Sequence, residues 1–168
     1  MAAENILKNF ALFVDGRGLA GNCEEIAPPK LTLIKEDFKA GGLNSAIKIT
    51  MGQEPMEMGF TLTKFDPRVL ALFGVAPGNP VAFVARGGLQ SLSGAVTPIE
   101  IYVRGEMREI DPGNWQPLAK VTQKFMVDAI YYRFTQGGAV IHEIDVPNMK
   151  MIINGVDQMA AMRAAIGI

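Results

Sequence analysis

The chain is poor in the residues that most enzyme chemistry and most covalent stapling use. In 168 residues there is one cysteine, Cys23, one histidine, His142, and one tryptophan, Trp115. A single cysteine excludes an intramolecular disulfide, which fits folding in a reducing compartment. One cysteine and one histidine far apart in sequence supply no zinc motif. Charge is scarce as well: 20% of residues are Asp, Glu, Lys or Arg, against about 25% in typical domains. Lys plus Arg (16) almost balances Asp plus Glu (17), for a net charge of -1. Such a chain lacks the basic footprint of a nucleic-acid binder and the polybasic segment that anionic membranes attract. Aromatic residues are 8% and are not interleaved with Arg or Lys as a base-stacking platform requires. The longest apolar runs, such as 69–73 and 81–85, are far too short to span a bilayer as a helix. Residues 1–12 carry no leader pattern.

What remains is apolar. Hydrophobic residues make up 49%, and the mean hydropathy is +0.18. A chain of this length buries a core without metal or disulfide, and no linker or repeat divides it, so 1–168 reads as one domain. Low charge combined with many Met, Ala and Ile residues suits a surface partly hidden against a partner.

The pattern is one of short strands separated by turn residues. Residues 10–14 form an apolar strand ended by Asp15-Gly16, and 31–35 another, entered through Pro28-Pro29. Ile47, Ile49 and Met51 alternate with Lys48 and Thr50; Met58, Phe60 and Leu62 alternate with Glu57, Gly59, Thr61 and Thr63. A period of two predicts strands with one covered face, and residues 52–55 are read as the turn between them. Asp66, Pro67 and Gly74 bracket a helix with Val69, Leu70 and Phe73 on its buried face. Ile99, Ile101, Val103 and Met107 form one face of a long strand. Residues 121–135 and 140–146 flank Gln136-Gly137-Gly138 as a hairpin. Asn154-Gly155 precedes a terminal helix with Val156, Met159, Met162 and Ile166 on one side, expected to face the core, with Gln158 and Arg163 outward. The fold class is mainly β: an antiparallel barrel or sandwich with one internal helix and a C-terminal helix.

The search for chemistry returns bland readings. His142 alternates with Val140 and Ile144 and suits a structural role on a sheet face; Cys23 suits a small half-buried hydrophobe, with a thiol pairing between subunits as the sharper option. The glycines of 15–21 and Gly41-Gly42 match no phosphate-binding loop. Asp37, Glu54, Glu57, Asp111 and Asp128 are scattered, and Trp115 reads as a packing anchor. No catalytic, cofactor-binding or metal residue is assigned.

Ordered across the whole chain are segments that point elsewhere. Residues 153–168, INGVDQMAAMRAAIGI, come last; before them stand Phe13-Val14-Asp15-Gly16 with Ala20-Gly21, Pro29-Lys30-Leu31, and Phe38-Lys39-Ala40-Gly41-Gly42-Leu43. Arg104-Gly105, Arg108-Glu109-Ile110-Asp111-Pro112-Gly113 with Asn114-Trp115, Tyr131-Tyr132 and Glu143-Ile144-Asp145 complete the set. Together they resemble the major tail tube proteins of contractile-tailed phages and R-type pyocins. The stretches 65–80 and 87–97 carry no motif of that family. The resemblance implies a tail-tube-like barrel or sandwich with a flanking helix, hexameric rings stacked into a hollow tube inside a contractile sheath, and sheets joined across subunits around the lumen. It implies no catalytic residue, cofactor or small-molecule substrate. Its partners are further copies of the chain, a tail sheath protein, and baseplate and tail terminator proteins, with passage of DNA if the particle is a phage. The location is a virion tail assembled in the host cytoplasm.

On that reading Phe38, Lys39, Gly41, Gly42, Leu43 and Asn44, within an exposed segment 37–45, are expected to form an arm that packs on an adjacent ring. Residues 46–51 and 57–63 are expected to line the lumen together, presenting Lys48, Thr50, Glu57, Thr61 and Thr63. The competing readings are an inner tube of a type VI secretion or extracellular contractile injection machine, and a monomeric β-barrel that binds a small ligand in a large apolar cavity.

Overall fold

The computed structural model describes residues 5–75 and 78–168; residues 1–4 of the chain start and 76–77 of the 65–80 stretch lie outside the described residues. In chain order the elements are β1 (Ile6–Val14), β2 (Arg17–Gly18), β3 (Cys23–Ala27), β4 (Leu33–Phe38), β5 (Ile47–Gln53), β6 (Met56–Leu62), α1 (Pro67–Leu70), β7 (Val81–Gln90), β8 (Val96–Asp111), β9 (Gln123–Gln136), β10 (Ala139–Asp145), β11 (Lys150–Ile153), β12 (Val156–Asp157) and α2 (Ala160–Ile166). The main sheet is antiparallel in the order β12-β11-β10-β9-β8-β7-β1-β2. Mainly β architecture with two helices is what the turn spacing predicts.

The sheet becomes a sandwich through one strand pair. β8 follows one edge of β9, and the other edge of β9 is divided. Its first half takes β6, from Met56↔Ala129 to Leu62↔Gln123, and its second half takes β10, from Asp145↔Tyr131 to Ala139↔Gln136. The β8–β9 ladder slips at Arg104/Gly105 and again at Met107/Glu109. Bulges of this kind bend a strand and raise its twist. Beyond the bend, β9 with β6 and β3 folds over β7 and β1. Met58, Phe60 and Leu62, the predicted inward face of β6, are buried, and Met56 joins them. Phe60 stacks on Phe125 of the neighbouring strand (ring centroids 4.9 Å) and tilts against Phe83 of the opposing layer (5.8 Å). Around these rings Leu12, Val103 and Val127 are wholly enclosed.

The hairpin across Gly137-Gly138 is present, and both glycines have positive φ (57° and 84°), as a two-residue turn matched to strand twist requires. Asp15-Gly16 turns β1 back at φ 49° and 75°.

Four expectations are corrected. β5 does not turn into β6: it pairs back on β4, from Leu33↔Gln53 to Phe38↔Ile47, as a separate two-stranded sheet. The reason is that β6 has both edges occupied, by β3 and β9. The segment 121–135, read from the sequence as the longest extended one, forms β9 (14 residues) and is exceeded by β8 (16 residues). α1 is a single turn capped by Asp66, whose Oδ1 accepts from Arg68 N at 3.0 Å. Val69 is buried there, but Phe73 is 54% exposed. Finally, α2 begins late, because Asn154-Gly155 makes a hairpin turn and Val156–Asp157 becomes a strand.

Gly105, part of the Arg104-Gly105 motif, sits at the first slip of the ladder between the two long strands. A Cβ there would stand 2.1 Å from Asp128 O, a clash with backbone that cannot swing aside. Gly105→Ala is therefore expected to lower stability by about 1–3 kcal/mol or more. Gly41→Ala, with nothing within 4 Å and no positive φ, should leave the urea midpoint unchanged.

Candidate self-assembly surfaces

The strand alternation that builds the core inside β6 builds something different in β4 and β5. Pairing puts Ile34 opposite Gly52, Glu36 opposite Ile49 and Phe38 opposite Ile47, so these residues share one face of the ribbon, with Met51 unpaired at the bulge beside them. Asp37 opposite Lys48 and Lys35 opposite Thr50 share the other. The ribbon is thus two-sided, apolar on one face and polar on the other, with Lys48 Nζ 3.1 Å from Asp37 Oδ1. Among the described residues this apolar face stays open to solvent: Ile34, Phe38, Ile47 and Ile49 are exposed, and Met51 is 59% exposed. The covered face predicted for 47–51 is uncovered in the isolated chain. The predicted arm residues gather at the tip. Phe38 ends β4; Lys39, Gly41, Gly42 and Asn44 are exposed; Leu43 is half-buried, its N–H donating to Ala40 O at 3.2 Å. Gly42 has φ 89°, which tightens the tip at a residue without Cβ.

The predicted lumen residues are not brought onto one sheet. Lys48 and Thr50 lie on the arm; Glu57, Thr61 and Thr63 lie on or just past β6. Thr61 is only 9% exposed, closed in beside β3, and the Thr63 hydroxyl donates to Asn22 O at 3.3 Å. Glu57 is exposed and accepts from Arg108 Nη2 (3.2 Å), whose Nε reaches Asp128 Oδ1 (3.3 Å). Sequence reading listed Glu57 and Asp128 as scattered; the register Glu57↔Asp128 brings them together around Arg108. That alignment depends on the bulges and has no sequence signal.

The outward face of β7 to β10 carries a second polar ladder. Glu100 receives Arg86 Nε (2.8 Å) and lies 3.6 Å from Arg133 Nη2, while Tyr131 O–H donates to Glu143 (3.0 Å). Arg104 and Arg133 lie over the rings of Tyr131 and Tyr102 at 5.0 and 5.2 Å. Burial, reinforced by the bond to Glu143, pushes the Tyr131 phenol above its ordinary range.

Three single residues resolve as follows. His142 is half-buried, 6.2 Å between centroids from Phe134, in the predicted structural position. Cys23 is half-buried, and burial raises its thiol pKa, so it is no activated nucleophile. Trp115 is not the expected packing anchor: it is 73% exposed, edge-on to Phe65 at 5.9 Å, because its loop lies outside the sandwich.

The C-terminal stripe is corrected too. Val156, Met162 and Ile166 are exposed, and α2 buries no residue. Arg163, expected outward, is what holds α2: Nη1 donates to Met149 O (2.8 Å) and Nη2 to Asp157 Oδ2 (2.6 Å). A seven-residue helix cannot reach the core once Val156–Asp157 has joined the sheet edge.

A β-sandwich that leaves apolar faces uncovered suits a subunit that assembles with others. The family model for phage tail tube protein FII matches residues 4–167, and the chain belongs to that family. It is 28% identical over 172 residues to the tail tube protein of Escherichia phage P2, covering all of both chains. It is 26% identical over 154 residues to the major tail tube protein of Serratia phage KSP20, covering 88% of this chain and 86% of that one. Among solved structures, the fold matches a chain of the sheath-tube complex of the PVC extracellular contractile injection system in its extended state (TM-score 0.58, 7% identity, 76% of this chain and 88% of that one). It also matches a chain of the anti-feeding prophage baseplate (TM-score 0.55, 10% identity, 80% and 97%). The chain is therefore a tail tube protein, a component of a virion tail.

The anchor of α2 is testable through pH. The Arg163 guanidinium, then the Met159 N–H (3.0 Å), hold the Asp157 carboxyl at about 2, below its ordinary 3.8. A lowered pKa stabilises the folded state in full above the ordinary value, and the contribution is lost as pH falls toward the folded one. Amide exchange in 157–168 should be flat from pH 7 to 5 after correction for intrinsic rates, and accelerate from about pH 4 toward 2. Asp157→Asn should show the fast exchange at every pH.

Proposed function

We propose that copies of this chain close into hexameric rings, that the rings stack, and that the β4–β5 arm is the connector between them. The observation that supports this most is the arm's apolar face, for which the subunit offers no cover. A ring of identical subunits needs a heterologous interface that closes, and an open-ended contact between rings to propagate. Free strand edges serve the first: among the described residues β2 covers only Phe13 and Val14 of the outer edge of β1, leaving Ile6–Leu12 without a strand partner. Such an edge is a template for pairing with another chain.

The polar face of the arm (Lys48, Thr50) and the outward face of β6 (Glu57, with Thr63 at its end) then form the lumen wall, interleaving carboxylates and cations so that passing DNA is not gripped. The chain acts as a structural element and not as an enzyme, and needs no cofactor or small-molecule substrate. The names of the matched structures, a sheath-tube complex and a baseplate, support sheath and baseplate proteins as partners, with a terminator protein at the far end. The exposed Trp115 loop and the outer face of α2 are surfaces available to them. An extracellular injection machine shares the fold, but the curated relatives come from phages. A monomeric ligand binder would need a hollow interior, and here Phe60, Phe83 and Phe125 fill it.

Negative-stain microscopy of the concentrated protein should show hollow rods of uniform diameter. Deleting residues 40–44, or Ile49→Asp with Met51→Asp, should leave single rings or free subunits with an unchanged circular dichroism spectrum. Rods of normal length and yield from either variant would refute the connector role.

A further inference from the structure

Where the arm leaves the body, a cleft of about 990 Å³ opens between its base and the end of the main sheet. The arm contributes Leu33 and Gly52; the floor is apolar, with Met56, Ile144, Met149 and Met159. Its rim is acidic. Glu54, Glu57, Asp128 and Asp145 face only two cations, Arg108 and Lys150. Arg108 is shared between Glu57 and Asp128, and Asp145 is occupied by the Asn148 side-chain amide at 2.7 Å. Among the described residues Glu54 has no ion-pair partner.

The opposite end of the same arm has the complementary character. Phe38 and Ile47, paired across the ribbon, are both exposed, with Leu43 between them in the tip. Lys48 is matched by Asp37, while Lys39 makes no ion pair among the described residues. The tip is thus apolar with a spare cation, Lys39; the cleft is apolar with a spare carboxylate, Glu54. A cleft of this size accepts several apolar side chains.

We propose that the cleft at the arm's base receives the arm tip of a second copy of this chain. The contact is between two different surfaces of the same molecule, tip on one copy and base on the next. It does not close on itself, and repeating it generates an open-ended array. Each arm would complete the next copy's cleft and bury its own apolar tip in one step, with Lys39 set against Glu54 at the rim. This rests on the connector role proposed above and adds the identity of the receiving surface.

The test uses positions outside the buried core in a Cys23→Ser background, with circular dichroism of each variant confirming the fold. Leu43→Cys in one population and Gln158→Cys, on the cleft wall, in another are mixed, assembled and oxidised. A disulfide requires Cβ atoms about 3.5–4.5 Å apart. The expected result is a mixed dimer on non-reducing gels. It should form far more readily than the pair Leu43→Cys with Leu118→Cys, which probes the rival apolar surface beside Trp115. Separately, Lys39→Glu should cut rod yield severalfold, and adding Glu54→Lys should restore it. If rods form and Leu43→Cys links to Leu118→Cys, or to neither, the cleft is not the receptor. If deletion of 40–44 leaves rods intact, the connector role itself falls, and the two failures are told apart.

Discussion

The structure depends on one uncompensated hydrophobic face. A two-stranded ribbon standing alone in water is marginal, and the β4–β5 ribbon gains no cover from its own subunit. Ile34, Phe38, Ile47 and Ile49 are exposed together on one side of it, and Met51 is exposed at its bulge. Each such side chain, fully buried, contributes about 1.5–3 kcal/mol relative to exposure, so several of them exceed what a marginally stable domain can ignore. Covering them requires a second molecule, and a copy of the same chain is always present during assembly. The low charge content of the sequence is the same fact seen in composition.

The body of the subunit exists to hold that ribbon at a fixed angle. Two bulges bend β8 and β9, the bend sets β6 over β7, and the Phe60–Phe125–Phe83 cluster locks the two layers. β6 follows the arm directly, from Gln53 to Met56, so the rigidity of β6 is passed to the arm base. The cleft beside that base is formed by elements that meet only after the bend has been made: the start of β6, the middle of β9 and the turn between β10 and β11. Arm and cleft are thereby fixed relative to each other within one chain. That is the condition for a repeating contact with constant rise and rotation.

Most strands were legible because a period of two and Gly or Asn turns are local signals. The 136–138 hairpin and the inward face of β6 illustrate this. Pairing was less legible. Nothing in residues 46–63 distinguishes β5 turning into β6 from β5 returning to β4; the choice was made by β3 and β9, distant in sequence, taking both edges of β6. The same applies to Thr61, whose alternation puts it opposite the core face but whose exposure is removed by β3. The C-terminal stripe misled for a related reason. Its apolar spacing suits a core-facing helix, but the chain between it and β11 is too short once β12 forms, and Arg163 serves as the anchor instead. The stretch Phe38 to Asn44 was legible as an exposed segment from its Gly-Gly pair, but the acidic cleft was not. Its carboxylates come from three separate segments, at the start of β6, in β9 and at the end of β10.

The central claim is that contacts between copies are made through the arm. Hydrogen exchange measured on free subunits and on assembled rods tests it most directly. The account predicts that amides of 33–53 exchange quickly in the free subunit, where both outer edges of the ribbon face solvent, and become strongly protected in rods, while β6 to β9 change little. Rods in which 33–53 still exchange as fast as in the free subunit would contradict it.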